Sequence, residues 1–529
     1  TDGNVVIGYN AGDAFGANNV YGTVLIGRQA GSSINNGDAA GTTAIGYNAG
    51  ASITSGQRNV VMGYQAGLLM TTMDDTVAIG YGAGDALSTG TGRNTIIGSA
   101  AGSALTTESQ IVAIGSSVMS SATNASNVIA IGHRAAEALS HNDSSGTIAI
   151  GALALEGANG SHTPNIAIGY RAINNATTNV AGAVAIGYET LYANTDNTGN
   201  IAIGYFAMRD GTGGSSRDYN IAIGTEAMRS GNSHVSVAIG YTAGKNIKSG
   251  GTGVVHIGHA AGTYASASYN TFMGYQAGHG GTTSAPYSSG EGNTAVGYGA
   301  LDAFTTGNHN IAIGKDAAGA LTTGAYNIIL SPKTGNSGTS LGVTTGNSNV
   351  GIGYETLVAL TDGASNVAIG TQAGMNAAGA DNNIIIGYQA GLNISSGGSN
   401  IIIGYRAADG GNVTNTTAIG YESLTASDGT GMNLALGFYT LHKLVKGGST
   451  TALGNYAGQY ATGSYNTFVG HDAGKGGTTS APYSSGQYNT ALGYLALSGF
   501  TTGGGNVAIG NHAGTAITTT GDTVLIGGS

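Results

Sequence analysis

Val5–Gly12 reads VVIGYNAG, Val24–Gly31 reads VLIGRQAG and Thr43–Gly50 reads TAIGYNAG; Val60–Gly67 follows as VVMGYQAG and Val77–Gly84 as VAIGYGAG. An apolar triplet closed by a Gly recurs in this way along the whole chain. Thirty such markers, counting Ser331 where the Gly is replaced, run from Gly8 to Gly527 with a mean period of about 17.9 residues. That period is too short for helix-pair repeats and suits one coil of a solenoid. Three residues before the marker stands Val, Ile or Thr, with Leu434 the one exception, and directly before it Ile, Met, Val or Leu. Such β-branched enrichment bounded by Gly and Asn predicts strand. Between triplets, stretches such as SITSGQRN and FTTGNHN supply turn chemistry. The expected fold is all-β: a parallel β-solenoid of about 30 coils of 17–18 residues, running over residues 1–529 as one continuous array.

Composition narrows the function. Of 529 residues 97 are Gly and 4 Pro, there is no Cys or Trp, and 8% are charged, with a net charge of −10. The absence of Cys excludes disulfides and thiolate metal sites. No basic stripe exists to neutralise phosphates, so no nucleic-acid partner is expected, and no apolar run is long enough for membrane insertion.

Strand side chains alternate faces, so the first and third triplet residues are expected inside the coil and the middle one outside. The middle residue is Ala in most coils, among them Ala78, Ala113, Ala130, Ala149, Ala167 and Ala312. An outward row of small apolar residues this long predicts an oligomer interface, closed around a shared axis. A monomer with the row packed under loops is the alternative. Ice binding would need a regular ladder of exposed Thr, whereas Thr106, Thr107, Thr322 and Thr501 fall in irregular turns. Tyr follows the marker in half of the coils, as at Tyr9, Tyr47, Tyr64, Tyr81, Tyr170 and Tyr188, and is expected to stack coil on coil.

The motif NxAIGxxA, in strings such as NVIAIG, NIAIGY, NVAIG and NTALGY, resembles the head repeats of trimeric autotransporter adhesins. The longer coil and the Tyr after the marker are more similar to repeats in long tail fibres of tailed phages. The resemblance implies a left-handed β-roll-like solenoid and a homotrimer. It further implies a non-enzymatic fibre, on a virion tail or alternatively on a bacterial surface as an adhesin head. Its partners would be copies of itself, other virion tail proteins and a host-surface glycan or protein. The first strand begins near residue 4 and the last ends near residue 527 without a cap, so the chain is expected to be a slice of a longer fibre.

Tyr269–Leu301 recurs as Tyr465–Leu497, an offset of 11 coils, and GGTTSAPYSSG is identical in the two. The intervals that hold it are 23 residues, so their extra residues should project, with Tyr287 and Tyr483 beside Pro286 and Pro482 as candidate receptor-contact loops. Residues 331–349 look like a local break or bulge. The 11 His are scattered without metal-ligand spacing, and His256 falls on the row expected to face outward. The acidic residues show no recurrence at one coil position that would pair carboxylates for glycoside hydrolysis. No catalytic, cofactor or metal residues are expected; a polysaccharide-depolymerase fibre is the rival from another class.

Overall fold

The computed structural model describes residues 3–15, 20–35, 37–139, 145–157, 164–174, 180–193, 197–211, 217–231, 233–247, 251–281, 287–331, 345–427, 431–480 and 483–528. The chain divides into two compact units, Thr1–Ser268 and Tyr269–Ser529. In either unit fifteen three-residue strands follow one another in parallel, each paired in register with the next. Thus Val60 lies beside Val77 and Met62 beside Ile79 in the first unit, and Ile384 beside Ile401 in the second. The β-solenoid expected from the period is what forms. The turns stack as well: Gly31 N–H donates to the Ala49 carbonyl at 3.0 Å and Gly50 N–H to the Ala66 carbonyl at 2.9 Å. Neighbouring coils therefore hydrogen-bond outside the strands too, as these described turns do. The marker Gly is fixed by this stacking. Gly63 has φ near +140°, and a Cβ there would run into the Gly80 carbonyl oxygen.

The inside and the outside of the coil are the reverse of the sequence expectation. In strand after strand the middle residue is buried and its two neighbours are partly exposed. Ala78, Ala113, Ala130, Ala149, Ala167 and Ala312 are all 0% exposed within the chain itself. They line the core of the coil and cannot form an oligomer interface. The reason is the width of the lumen. A coil of about 17 residues must also house the Ala three residues after the marker and a larger side chain seven after it, such as Met70, Leu87 or Leu105. A small residue fits between them in most coils, and a larger one such as Val61 or Ile96 fits where Gly67 or Gly102 stands six residues on. His256 is likewise inside, fully buried, and burial pushes its imidazole down to about 3, so it is neutral. It fits because position 262 is Gly, whose Cβ would strike the ring.

Four residues before the marker runs a buried polar row. Asn293, Asn310, Asn327, Asn349, Asn366 and Asn383 each pass Oδ1 to the next coil, where it accepts from both the backbone N–H and Nδ2 of the next Asn, and Asn400 ends the run by accepting from the Thr416 N–H. Each Nδ2 also donates to the carbonyl of a turn, as Asn310 does to Gly324 at 2.9 Å. Over this run of Asn the amide groups that the row buries are satisfied.

Around Ser331 the strand ladder is unbroken: Ile328–Leu330 pairs in register with Ile311–Ile313 before it and with Val350–Ile352 after it. The break expected over 331–349 does not reach the strands; residues 332–344 lie outside the described residues.

Candidate functional site

Outward from the strands stand two rows, the first and third triplet residues, the third apolar throughout and the first aliphatic except for Thr in eight strands. Exposure reaches 37% at Ile311 and 42% at Ile313, and Ile129, Ile328, Ile384, Ile401, Leu434 and Leu436 are similar. Successive strands pair without offset, so the third row is continuous within each unit, whereas Thr interrupts the first, as Thr417 does between Ile401 and Leu434. Beside them runs the tyrosine row. Tyr47, Tyr64 and Tyr81 stack with centroids 5.1 and 5.3 Å apart, and Tyr388, Tyr405 and Tyr421 at 5.3 and 4.9 Å. The coil spacing sets this distance, and the stacking expected of a regularly repeated Tyr is present.

The two long coils seat their insertions alike. Ser288 Oγ donates to the Phe304 carbonyl at 2.7 Å, and Ser484 Oγ to the Phe500 carbonyl at 2.9 Å. Tyr287 and Tyr483 are half-buried rather than fully projecting, and the Tyr483 ring lies 6.2 Å from that of Tyr460. Pro286 and Pro482 lie outside the described residues.

A third surface is the polar edge formed two, five and six residues after the marker. The acidic residues do recur here: Glu137, Glu156, Asp302 and Asp409 at the fifth position, Glu189, Glu226, Asp316 and Glu422 at the second. In the first unit they pair with cations of the same or a neighbouring coil. Arg134 meets Glu137 at 2.7 Å and Glu156 at 2.9 Å, Arg209 meets Glu189 at 2.6 Å, and Lys245 meets Glu226 at 2.6 Å. The Arg209 guanidinium also lies 4.3 Å above the Phe206 ring. In the second unit Asp302 faces Asp316 instead, and burial plus that like charge push its carboxyl up to about 6.

Farther along this edge lies a cleft of about 450 Å³ lined by Asn393, Arg406, Asp409, Glu422, Thr425, His442 and Lys443. Arg406 Nε donates to Asp409 at 2.6 Å, and burial raises the Asp409 carboxyl above its ordinary range despite that partner. His442 Nδ1 lies 2.6 Å from Thr425 Oγ1 and 3.9 Å from the Glu422 carboxylate. Hydroxyl and acid thus approach the same ring nitrogen. A relay for nucleophilic catalysis would need them on opposite nitrogens, so this arrangement orders the cleft wall rather than activating Thr425. Burial lowers His442, leaving it neutral near pH 7.

No family model, curated protein or solved structure matches this chain.

The cleft and the polar edge were not read from the sequence, because their residues change from coil to coil and carry no motif. The signal available was positional: once the marker is fixed, charge concentrates at the second and fifth residues after it. Among the described residues no group of three or more His, Asp or Glu is arranged to hold a metal ion.

Proposed function

We propose that the chain is part of a non-enzymatic, host-attaching fibre of the phage-tail type, assembled as a homotrimer along its outward strand face. The observation that carries this reading is the outward strand face, with one continuous apolar row beside a second that only Thr interrupts. With roughly 50 Å² left in water per apolar outward triplet residue, the fifteen coils of either unit expose on the order of 1,200–1,400 Å² of apolar surface. A monomer ordinarily shows a few hundred Å², and a stable interface needs about 800 Å² per partner. The threefold order is supported by the resemblance of the repeats to adhesin heads and tail fibres. Sedimentation equilibrium tests the assembly: three times the 51.8 kDa chain is expected, and a monomeric mass at micromolar concentration overturns it.

Attachment is tested with labelled protein on panels of bacterial cells. Comparison with the double variant Tyr287→Ser/Tyr483→Ser asks whether the duplicated loops make the contact. Loss of retention assigns it to them, whereas unchanged retention moves it elsewhere on the fibre. Release of reducing sugar from capsular polysaccharide by the purified chain would replace this reading with the depolymerase.

A further inference from the structure

The cleft on the polar edge of the second unit exists because two short residues stand between two long ones. Six residues after the marker, successive coils carry Asn393, Gly410, Ala426 and Lys443. The trough is thus two coils wide, about 10 Å at the strand spacing. Its floor is enforced at one point, since a Cβ on Gly410 would run into the Thr425 carbonyl oxygen. At about 30 Å³ per water, its volume of about 450 Å³ holds roughly fifteen waters, room for one or two sugar rings.

The walls are held before any ligand arrives. The Asp409 side chain is only 6% exposed and tied to Arg406, and the Asn393 amide donates to the Asp409 carbonyl at 2.7 Å. The Thr425 hydroxyl is occupied by His442. Two groups keep bonding capacity for a ligand. The Lys443 ammonium has no hydrogen bond or ion pair among the described residues, and the Glu422 carboxylate, which accepts from the Tyr439 hydroxyl and lies 3.9 Å from the neutral imidazole, keeps acceptor positions for further donors. With His442 neutral, two cations balance two carboxylates. A lining of one sign selects an ion. An alternation of donors and acceptors near zero net charge selects a ligand whose substituents both donate and accept.

We propose that this trough is a binding subsite for a neutral saccharide of one or two rings, whose vicinal hydroxyls donate to Glu422 and accept from Lys443. The Ala426 methyl and Leu392 lie against the C–H face of the ring. The site is on a different edge of the coil from the aliphatic rows. It rests on the attachment reading only for its biological purpose, since binding by the purified chain and retention on cells are read separately.

The experiment is saturation-transfer NMR on the full chain with four neutral disaccharides (lactose, maltose, cellobiose and diacetylchitobiose), with digalacturonate and inorganic phosphate as charged probes. Transfer to the ring protons of at least one neutral probe is expected. Glu422→Gln and Lys443→Gln should each weaken it about tenfold, the loss of one charge-assisted hydrogen bond. Unchanged far-UV circular dichroism would show that both variants fold. No transfer to any neutral probe overturns the proposal. So does transfer that survives both substitutions, or binding confined to digalacturonate or phosphate. Lactose-type binding that is lost in Glu422→Gln while retention on cells persists keeps the subsite and separates it from attachment.

Discussion

Phe468 occupies a position that is Ala in most coils, and the residue six places on tells why it fits. A Cβ on Gly474 would enter the Phe468 ring, whereas in the next coil Ala491 stands with Leu497. The same trade recurs: Leu25 with Gly31, Ile96 with Gly102 and Phe272 with Gly278, against Ala149 with Leu155, Ala202 with Met208 and Gly351 with Leu357. It is kept at a cost, since Leu155 and Leu357 hold φ of +55° and +52°, a region that disfavours Leu by about 1–2 kcal/mol. Phe468→Ala is therefore expected to destabilise the second unit by about 3–4 kcal/mol. Adding Gly474→Leu should recover part of that loss, whereas Gly474→Leu alone should be as damaging or worse. Additive losses in urea unfolding would refute the trade. Only one side of the trade was legible in the sequence, since a large middle residue stands with Gly or Ala six places on, whereas Ala also stands with Gly, as Ala44 does with Gly50 and Ala78 with Gly84. The assumption that the largest β-branched residues must fill a core hid even that side.

Asp302 gives a second residue-scale test. Its folded carboxyl titrates near 6, above the ordinary carboxylate range, so between about pH 4 and 6 the folded state holds the proton that the unfolded state has released. Stability should fall as pH rises through that window and stay lower above it. Asp302→Asn is expected to raise the urea midpoint at pH 7 and leave it nearly unchanged at pH 4. An equal shift at both pH values would remove Asp302 as the source.

At the scale of the element, the asparagine row does what the three-residue strands are too short to do. Asn383 Oδ1 accepts from Asn400 N–H and Nδ2 at 3.1 and 2.8 Å, while its own Nδ2 donates to the Gly397 carbonyl at 3.1 Å. Asn383→Ala would leave a buried N–H and a buried carbonyl unpaired, at about 1–3 kcal/mol each. The expected result is a loss of about 2–4 kcal/mol, with amide exchange fastest at Asn400. Protection at Asn400 equal to the parent would show that the row carries no such share. The sequence displayed this Asn in every NxAIG string, yet its partner is the same residue one coil away, and only the stacking of coils makes the ladder visible. The Tyr row was easier to read, because a residue repeated in half of the coils can meet its own copy. The cleft was harder, because Asn393, Gly410, Ala426 and Lys443 share a position and nothing else.

For the whole molecule, the exchange of inside and outside changes which substitutions separate folding from assembly. Ala418 and Ala435 are 0% exposed, and a Glu at either would put an unpaired charge into a dry lumen. Such a variant should fail to fold, because the penalty for an uncompensated buried charge is several kcal/mol. On the outward face the cost is different. Ile384, Ile401 and Leu434 are exposed to 38–40%, so glutamates there keep their water as long as the chain is alone. The strands themselves are undisturbed, since the pairing of Ile384 with Ile401 runs through the backbone. In an assembly sealed along this face, by contrast, nine charges per trimer would be desolvated together. The triple variant Ile384→Glu/Ile401→Glu/Leu434→Glu is therefore expected to keep the parent's circular dichroism and sediment as a monomer. Ala418→Glu/Ala435→Glu is expected to lose the β signal at any mass. A triple variant with the parent's oligomeric mass would move the interface off the aliphatic rows. A folded Ala418→Glu/Ala435→Glu chain would mean that the coil lumen is wide enough to hydrate a carboxylate, which the volume trade at Phe468 and Gly474 does not allow.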